Sequence, residues 1–358
     1  MNNNYTEIGL LFQGLVTNVQ YTFIMEFCSE AGTILAFIGI ISNVINIRIF
    51  CSMGLTDGIT VSFLSLSIFD LAYLIPSFSM GVSIGLGVIE LRTPTAFVIE
   101  PQGVSILMAK IMVLVNITNV LTTTFLAVAR CMCVAKPLHF KNWFTKNRAL
   151  GFILSFVILA VASYAPVTAY VGIVTQFDVM KNITRPILWV SPKRESVKVI
   201  AWIIKDLILP FATQFIVVVC VVIMASSLRI SSRFRQSAVL TSEKASSALD
   251  SNYNFTVSST LTVPTDKLSR KDVRVVQQVV LISVVYIVCN TPKMVISTAV
   301  VTVPDFTIGK RYSNLYLGVI ALRHQFEILN DAVNTFIYYR YNTKFRTILL
   351  SALKRMRR

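Results

Sequence analysis

The sequence predicts an all-α membrane protein, a seven-transmembrane helix bundle with a short amphipathic eighth helix. Three observations predict it. Of 358 residues, 54% are hydrophobic and only 14% charged, with a mean hydropathy of +0.68; soluble domains are about a quarter charged. Seven apolar runs are long enough to cross a hydrocarbon core, which takes about 20 residues. The basic residues are sorted to alternate loops, as the charge asymmetry of membrane proteins requires.

Residues 1–27 contain no Lys or Arg and no signal-peptide pattern, so they read as an extracellular N-terminus whose first span directs insertion. The spans fall at about 28–52, 60–86, 103–134, 148–172, 199–228, 273–303 and 315–340. The second is interrupted by Asp70 and Pro76. The seventh carries Arg323, His324, Glu327 and Asp331 yet is long enough to cross; ionisable residues at bilayer depth signal function. Between the fifth and sixth spans, 231–270 is rich in Ser and Thr and reads as a disordered cytoplasmic loop, either a phosphate acceptor or a solvated linker. In the tail, 341–358, Phe345, Ile348, Leu349 and Leu353 share a helical face with Lys and Arg elsewhere, an interfacial helix on the inner leaflet of the bilayer. No fixed-period repeat is present.

With the N-terminus outside and the C-terminus in the cytoplasm, 21 of the 33 basic residues fall on the inner side and eight on the outer. The net charge of +16 therefore follows membrane sidedness and not a nucleic-acid surface. The sequons at Asn4 and Asn182 fall outside, where glycosylation reaches; those at Asn116 and Asn254 do not. No nucleophile–base or metal-ligand constellation stands out, since His139 and His324 are the only histidines and lie on opposite sides, so no enzyme is expected. Cys131 and Cys133 flank Arg130 without the further ligands a metal site needs, and read as buried or acylated thiols.

A set of short motifs is spread over six spans. G-I-I-S-N ends at Asn43 and L-S-I-F-D at Asp70. Ala129-Arg130-Cys131 is followed by Lys136-Pro137-Leu138, and Pro210 lies in the fifth span. Y-I-V-C-N-T-P runs from Tyr286 through Cys289 and Asn290 to Pro292, N-T-F-I-Y runs from Asn334 to Tyr338, and Phe345 follows. In order and spacing these motifs resemble those of the rhodopsin-like G-protein-coupled receptors over about residues 28–350, with a general likeness to divergent invertebrate (mollusc-type) chemosensory or neuropeptide receptors.

The resemblance implies that Arg130 is the switch facing a heterotrimeric G protein, in a cleft shared with Leu138 and Tyr338. The family's acid before the arginine is Ala129 here. Asp272, twenty residues before Pro292, stands where relatives place the acid that locks the sixth span to the third; the alternative is two solvated interfacial charges. Asp70, Asn119, Asn330, Asp331 and Asn334 converge on the family's sodium pocket, holding an allosteric Na+ or a hydrogen-bonded network with water. Asn290, Lys205, Asp206, Lys293, Arg323, His324 and Glu327 fall where the family lines its ligand cavity. The charged members suit a carboxylate, a zwitterion or a peptide, unless Lys205–Asp206 and Arg323–Glu327 merely neutralise one another. Met112 replaces the acid of amine receptors, and Ile328 the lysine of opsins, which excludes retinal attachment. The family disulfide lacks both halves: Ser105 stands at one position, and 171–200 contain no Cys. The expectation is a plasma-membrane receptor for a small polar or zwitterionic extracellular cue. A neuropeptide receptor, or a transporter or channel, are the alternatives.

Overall fold

A computed structural model describes residues 15–55, 57–135, 145–178, 182–191, 194–248 and 270–356. Its elements are α1 (Asn18–Met53), α2 (Gly58–Arg92), α3 (Pro101–Ala135), α4 (Lys146–Thr168), β1 (Val171–Asp178), β2 (Ile183–Val190), α5 (Arg194–Trp202), a π-turn (Ile203–Ile208), α6 (Leu209–Ala248), α7 (Arg270–Thr302), α8 (Ser313–Ala332), α9 (Asn334–Tyr341) and α10 (Thr343–Met356). Six helical stretches are long and apolar enough to cross a membrane: α1 to α4, Val197–Arg229 and Val273–Thr302. α8 is shorter and carries charge, and it sits between α7 and α1, also touching α2. α3 is central, packing on α2, α4, α6 and α7.

The distribution of side chains is inverted relative to a soluble protein. Phe215, Val222 and Ile158 are 71%, 62% and 61% exposed on the outer faces, while Asn43, Asp70, Asn119, Asp331 and Asn334 are buried between helices. Water would penalise the first group and hydrocarbon the second if their places were exchanged. The architecture is that of a multi-pass all-α membrane protein.

Local chemistry sets the helix ends. Thr17 and Gln20 form a capping box on α1, with Gln20 N donating to Thr17 Oγ1 at 3.3 Å and Thr17 N to Gln20 Oε1 at 3.0 Å. α1 stops at Gly54, whose φ of 84° suits a residue without Cβ, and Asp57 then caps α2. Pro210 lacks the N–H that would close an ordinary helical turn onto the Asp206 carbonyl. The chain accommodates this with the π-turn just before it, where Leu209 N–H reaches the Ile204 carbonyl five residues back.

Three elements depart from the sequence expectations. The fourth helix ends at Thr168, and the chain turns into an antiparallel hairpin with Val171 opposite Val190 and Asp178 opposite Ile183. Exposed Asn182 takes φ 52° in its turn, a conformation asparagine tolerates. Second, α6 runs to Ala248, so 231–248 are helical where a disordered loop was expected. Its Arg, Gln, Ala, Leu, Glu and Lys are strong helix formers; 249–269 lie outside the described residues. Third, the run 315–340 is two helices, broken at Val333.

Opposite the hairpin end, Phe50, Phe63, Tyr338 and Phe345 make one aromatic cluster with ring centroids 5.0–5.9 Å apart. Fully buried Phe345 docks α10 onto α1 and α9. Edge-to-face and tilted rings at these distances add about 0.5–1.5 kcal/mol per pair to the burial itself.

Candidate functional site

Two polar clusters lie one above the other inside the helices. The upper one borders a cavity of about 470 Å³ toward the hairpin end. The π-turn brings Lys205 and Asp206 to it from one side, and successive turns of α8 bring Arg323, His324 and Glu327 from the other. Lys205 Nζ is 2.6 Å from Asp206 Oδ2. Arg323 holds Glu327 Oε1 through Nε and Nη2, both at 2.9 Å, the i, i+4 pair that the spacing predicts. Lys293 Nζ and Arg323 Nη1 stand 3.7 and 3.8 Å from Asp206 Oδ1, beyond hydrogen-bond length.

α2 supplies two partners that sequence reasoning missed. Tyr73 OH donates to Glu327 Oε2 at 2.7 Å. Its one proton is then committed, so toward His324 Nδ1, 3.1 Å away, the phenol oxygen accepts, which puts the ring proton on Nδ1. Ser77 Oγ lies 3.1 Å from Nε2, and Glu327 Oε2 lies 3.8 Å from Nδ1. The available signal was spacing: Tyr73 and Ser77 lie three and seven residues after Asp70, on the same helical face.

Tyr73, Asn116 and Glu327 also line a deeper chamber of about 30 Å³ that reaches Asn119, Asn330 and Asp331. There Asn119 Nδ2 donates to both Asp70 Oδ1 (2.9 Å) and Asp331 Oδ1 (3.0 Å). Asn330 and Asn334 donate to Asp331 Oδ1 and Asp70 Oδ2 at 2.9 and 2.8 Å. Asn43 donates to the Asp331 carbonyl at 2.9 Å, next to the break between α8 and α9. Thr335 joins the edge of this network by donating to Asn46 Oδ1. Two buried carboxylates thus share one amide, and like charges so close require a proton or a cation between them. Asn119 Oδ1 is buried without a hydrogen-bond partner among the described residues. Carboxylate and amide oxygens, one of them unsatisfied, form a donor set that fits a hard cation.

Asn290 borders this deeper chamber and not the large cavity; it donates to Gln214 Oε1 at 3.3 Å and Tyr286 OH at 3.4 Å, and Tyr286 OH meets Thr213 Oγ1 at 2.9 Å. Cys289 lines the same chamber. Arg130 is buried at the far end of α3, and Tyr338 in the aromatic cluster. The Asp272 side chain, Pro137, Leu138 and Asn4 lie outside the described residues, so the expected Arg130–Asp272 pair and the first sequon do too.

None of the six cysteines forms a disulfide. The hairpin is instead tied by charge. Arg185 on β2 reaches Glu90 of α2 at 2.6 Å and Asp178 of β1 at 2.5 Å, with side-chain exposures of 7%, 7% and 19%. Burial works against the guanidinium's charge, but the two carboxylates outweigh it and hold its pKa above the ordinary value. The chain matches no known family model and no curated protein.

Proposed function

We propose that the chain is a plasma-membrane receptor of the rhodopsin-like G-protein-coupled kind: seven spans, α8 with α9 forming the last, and α10 as an interfacial helix, with the N-terminus outside. A small extracellular cue enters the large cavity. The ligand-bound state favours an outward movement of α7 at the opposite end, exposing Arg130, Leu138 and Tyr338 to a heterotrimeric G protein. This is a population shift, and it requires the ligand to prefer the open arrangement. The single observation that carries the reading is continuity along α8. Arg323, His324 and Glu327 border the cavity, Asp331 sits in the deeper carboxylate cluster, and past the break Asn334 bonds Asp70 while Tyr338 packs under α1. One helical track thus links a ligand-sized cavity to the end bearing Arg130. Na+ between Asp70 and Asp331 belongs to this reading as a brake on the closed state, and Asn4 and Asn182 as glycan acceptors.

The test is G-protein dissociation in cells expressing the chain, screened with amino acids, peptides and aqueous chemical extracts, beside Arg130→Ala. A ligand response lost in the variant is the expected result. Silence across the panel with surface expression verified counts against coupling. The paired buried carboxylates also favour a second reading, an ion-coupled transporter; substrate flux without sensitivity of ligand affinity to guanine nucleotide would select it.

A further inference from the structure

We propose that the large cavity takes an amphipathic monoanion, a single carboxylate on a compact apolar body, with the carboxylate held by Lys293 and Arg323. This rests on the receptor reading above and narrows its ligand. Three basic side chains, Lys205, Lys293 and Arg323, gather around the carboxylates of Asp206 and Glu327, and Lys198 also lines the large cavity. Lys205 is closely paired with Asp206, and Arg323 with Glu327. Both ring nitrogens of His324 are engaged, by Tyr73 and Ser77. Of the three basic side chains, Lys293 stands farthest from a carboxylate oxygen. Its side chain is buried, and its ammonium has its nearest carboxylate oxygen at 3.7 Å. That oxygen, Asp206 Oδ1, is itself buried without a hydrogen bond. A buried ammonium in this state is costly, and a ligand oxygen that accepts from it relieves the cost.

The geometry leaves room for such an oxygen. Lys205, Lys293 and Arg323 border a small chamber of about 10 Å³ beside Asn116, which shares Lys205, Arg323, Val113 and Asn116 with the large cavity. That volume admits about one water-sized group. The rest of the cavity wall is mostly apolar, including Met80, Ile84, Met112, Trp202, Ile296 and Leu317, and its volume lies at the lower end of the range for ligand clefts. A free amine adds a further cation to a site already lined by several. The ammonium of a zwitterion meets carboxylates that are each already paired with a cation. A neutral alcohol brings Lys293 a hydrogen bond but no negative charge.

The test uses the full chain purified into lipid nanodiscs, with thermal stabilisation as the readout and four probes matched in shape: 3-phenylpropanoate, 3-phenylpropylamine, 3-phenylpropanol and phenylalanine. The expected result is saturable stabilisation by 3-phenylpropanoate, with the other three weaker by about 10- to 100-fold, the worth of a hydrogen bond to a charged group. Lys293→Gln should abolish the preference for acid over alcohol while keeping the weak binding of the alcohol. Lys293→Met, which preserves length and packing, serves the same comparison if the glutamine variant folds poorly. Equal or tighter binding of the amine or phenylalanine overturns the proposal. So does an unchanged acid preference in both variants, or no stabilisation by 3-phenylpropanoate at millimolar concentration. Because the readout is binding alone, its outcome is separate from coupling: a carboxylate that binds without releasing a G protein removes the receptor reading and leaves this one standing.

Discussion

Replacing Arg185 with alanine removes the guanidinium that joins Glu90 to Asp178. The magnitude follows from the geometry. The guanidinium contacts the two carboxylates at 2.6 and 2.5 Å, with Arg185 and Glu90 each only 7% exposed at the side chain. Charge centres about 4 Å apart at an effective dielectric of about 20 attract by about 4 kcal/mol per pair. Desolvation offsets much of that, and removing one partner of a buried pair costs about 3–5 kcal/mol. Asp178 is 19% exposed and rehydrates in part, so about 3 kcal/mol is expected, concentrated in undocking of the hairpin. That is about a 100-fold increase in the fraction of time the hairpin is open. Hydrogen exchange by mass spectrometry on 171–190, in nanodiscs, reads it directly. Arg185→Lys should give roughly half the effect, since a point charge cannot fork between two carboxylates. Adding Glu90→Gln and Asp178→Asn to Arg185→Ala should restore most of the protection, because the two carboxylates that have lost the guanidinium no longer carry charge. Unchanged hairpin exchange in Arg185→Ala would refute the reasoning, as would a triple variant as open as the single one.

Phe345→Ala removes a fully buried ring from the cluster with Phe50 and Tyr338; about 3–5 kcal/mol of local stability should be lost. Exchange should then rise across Thr343–Met356 while the hairpin stays protected. Asp70→Asn should eliminate any stabilisation by NaCl relative to choline chloride, worth about 1.4 kcal/mol when Na+ is present at ten times its dissociation constant; a salt effect that survives the substitution argues against a cation among these oxygens. Tyr73→Phe deletes the 2.7 Å donation to Glu327 and the acceptor of His324 Nδ1. It should lower thermal stability by about 1–3 kcal/mol, and scanning fluorimetry of the purified variant measures the change.

What was legible in the sequence follows from the range of each interaction. Long apolar runs announce helices by length, and α1 to α4 appear within a few residues at most ends, although α1 starts at Asn18 and not near 28. The Arg323–Glu327 pair is four residues apart on one helix, so its contact could be read from spacing. Tyr73 and Glu327 are far apart in the chain, and nothing local marks them as partners. The same holds for Arg185 and Glu90, which meet only because β2 folds back over the end of α2. The hairpin itself was hidden by its short strands, whose alternation is a weak signal beside runs of more than 20 apolar residues. Pro210 was read only as a motif residue of the fifth span, and the wider turn before it is seen only in the structure. Asn290 was expected in the ligand cavity from its motif position; Gln214 and Tyr286 draw it toward the deeper chamber.

The attachment of the hairpin through Arg185 has a thermodynamic consequence. A disulfide fixes a loop once, and the bond persists until thiol chemistry removes it. Two buried charges and a half-buried one fix it by equilibrium instead. An element held this way needs no oxidising compartment to fasten it and is indifferent to reductants. It docks and undocks as fast as local unfolding allows. Its occupancy is also adjustable in small steps, because exchanging a single carboxylate for its amide shifts the balance without severing the chain's topology. The docking of the hairpin is therefore graded, set by the strength of an ionic contact and open to tuning one side chain at a time.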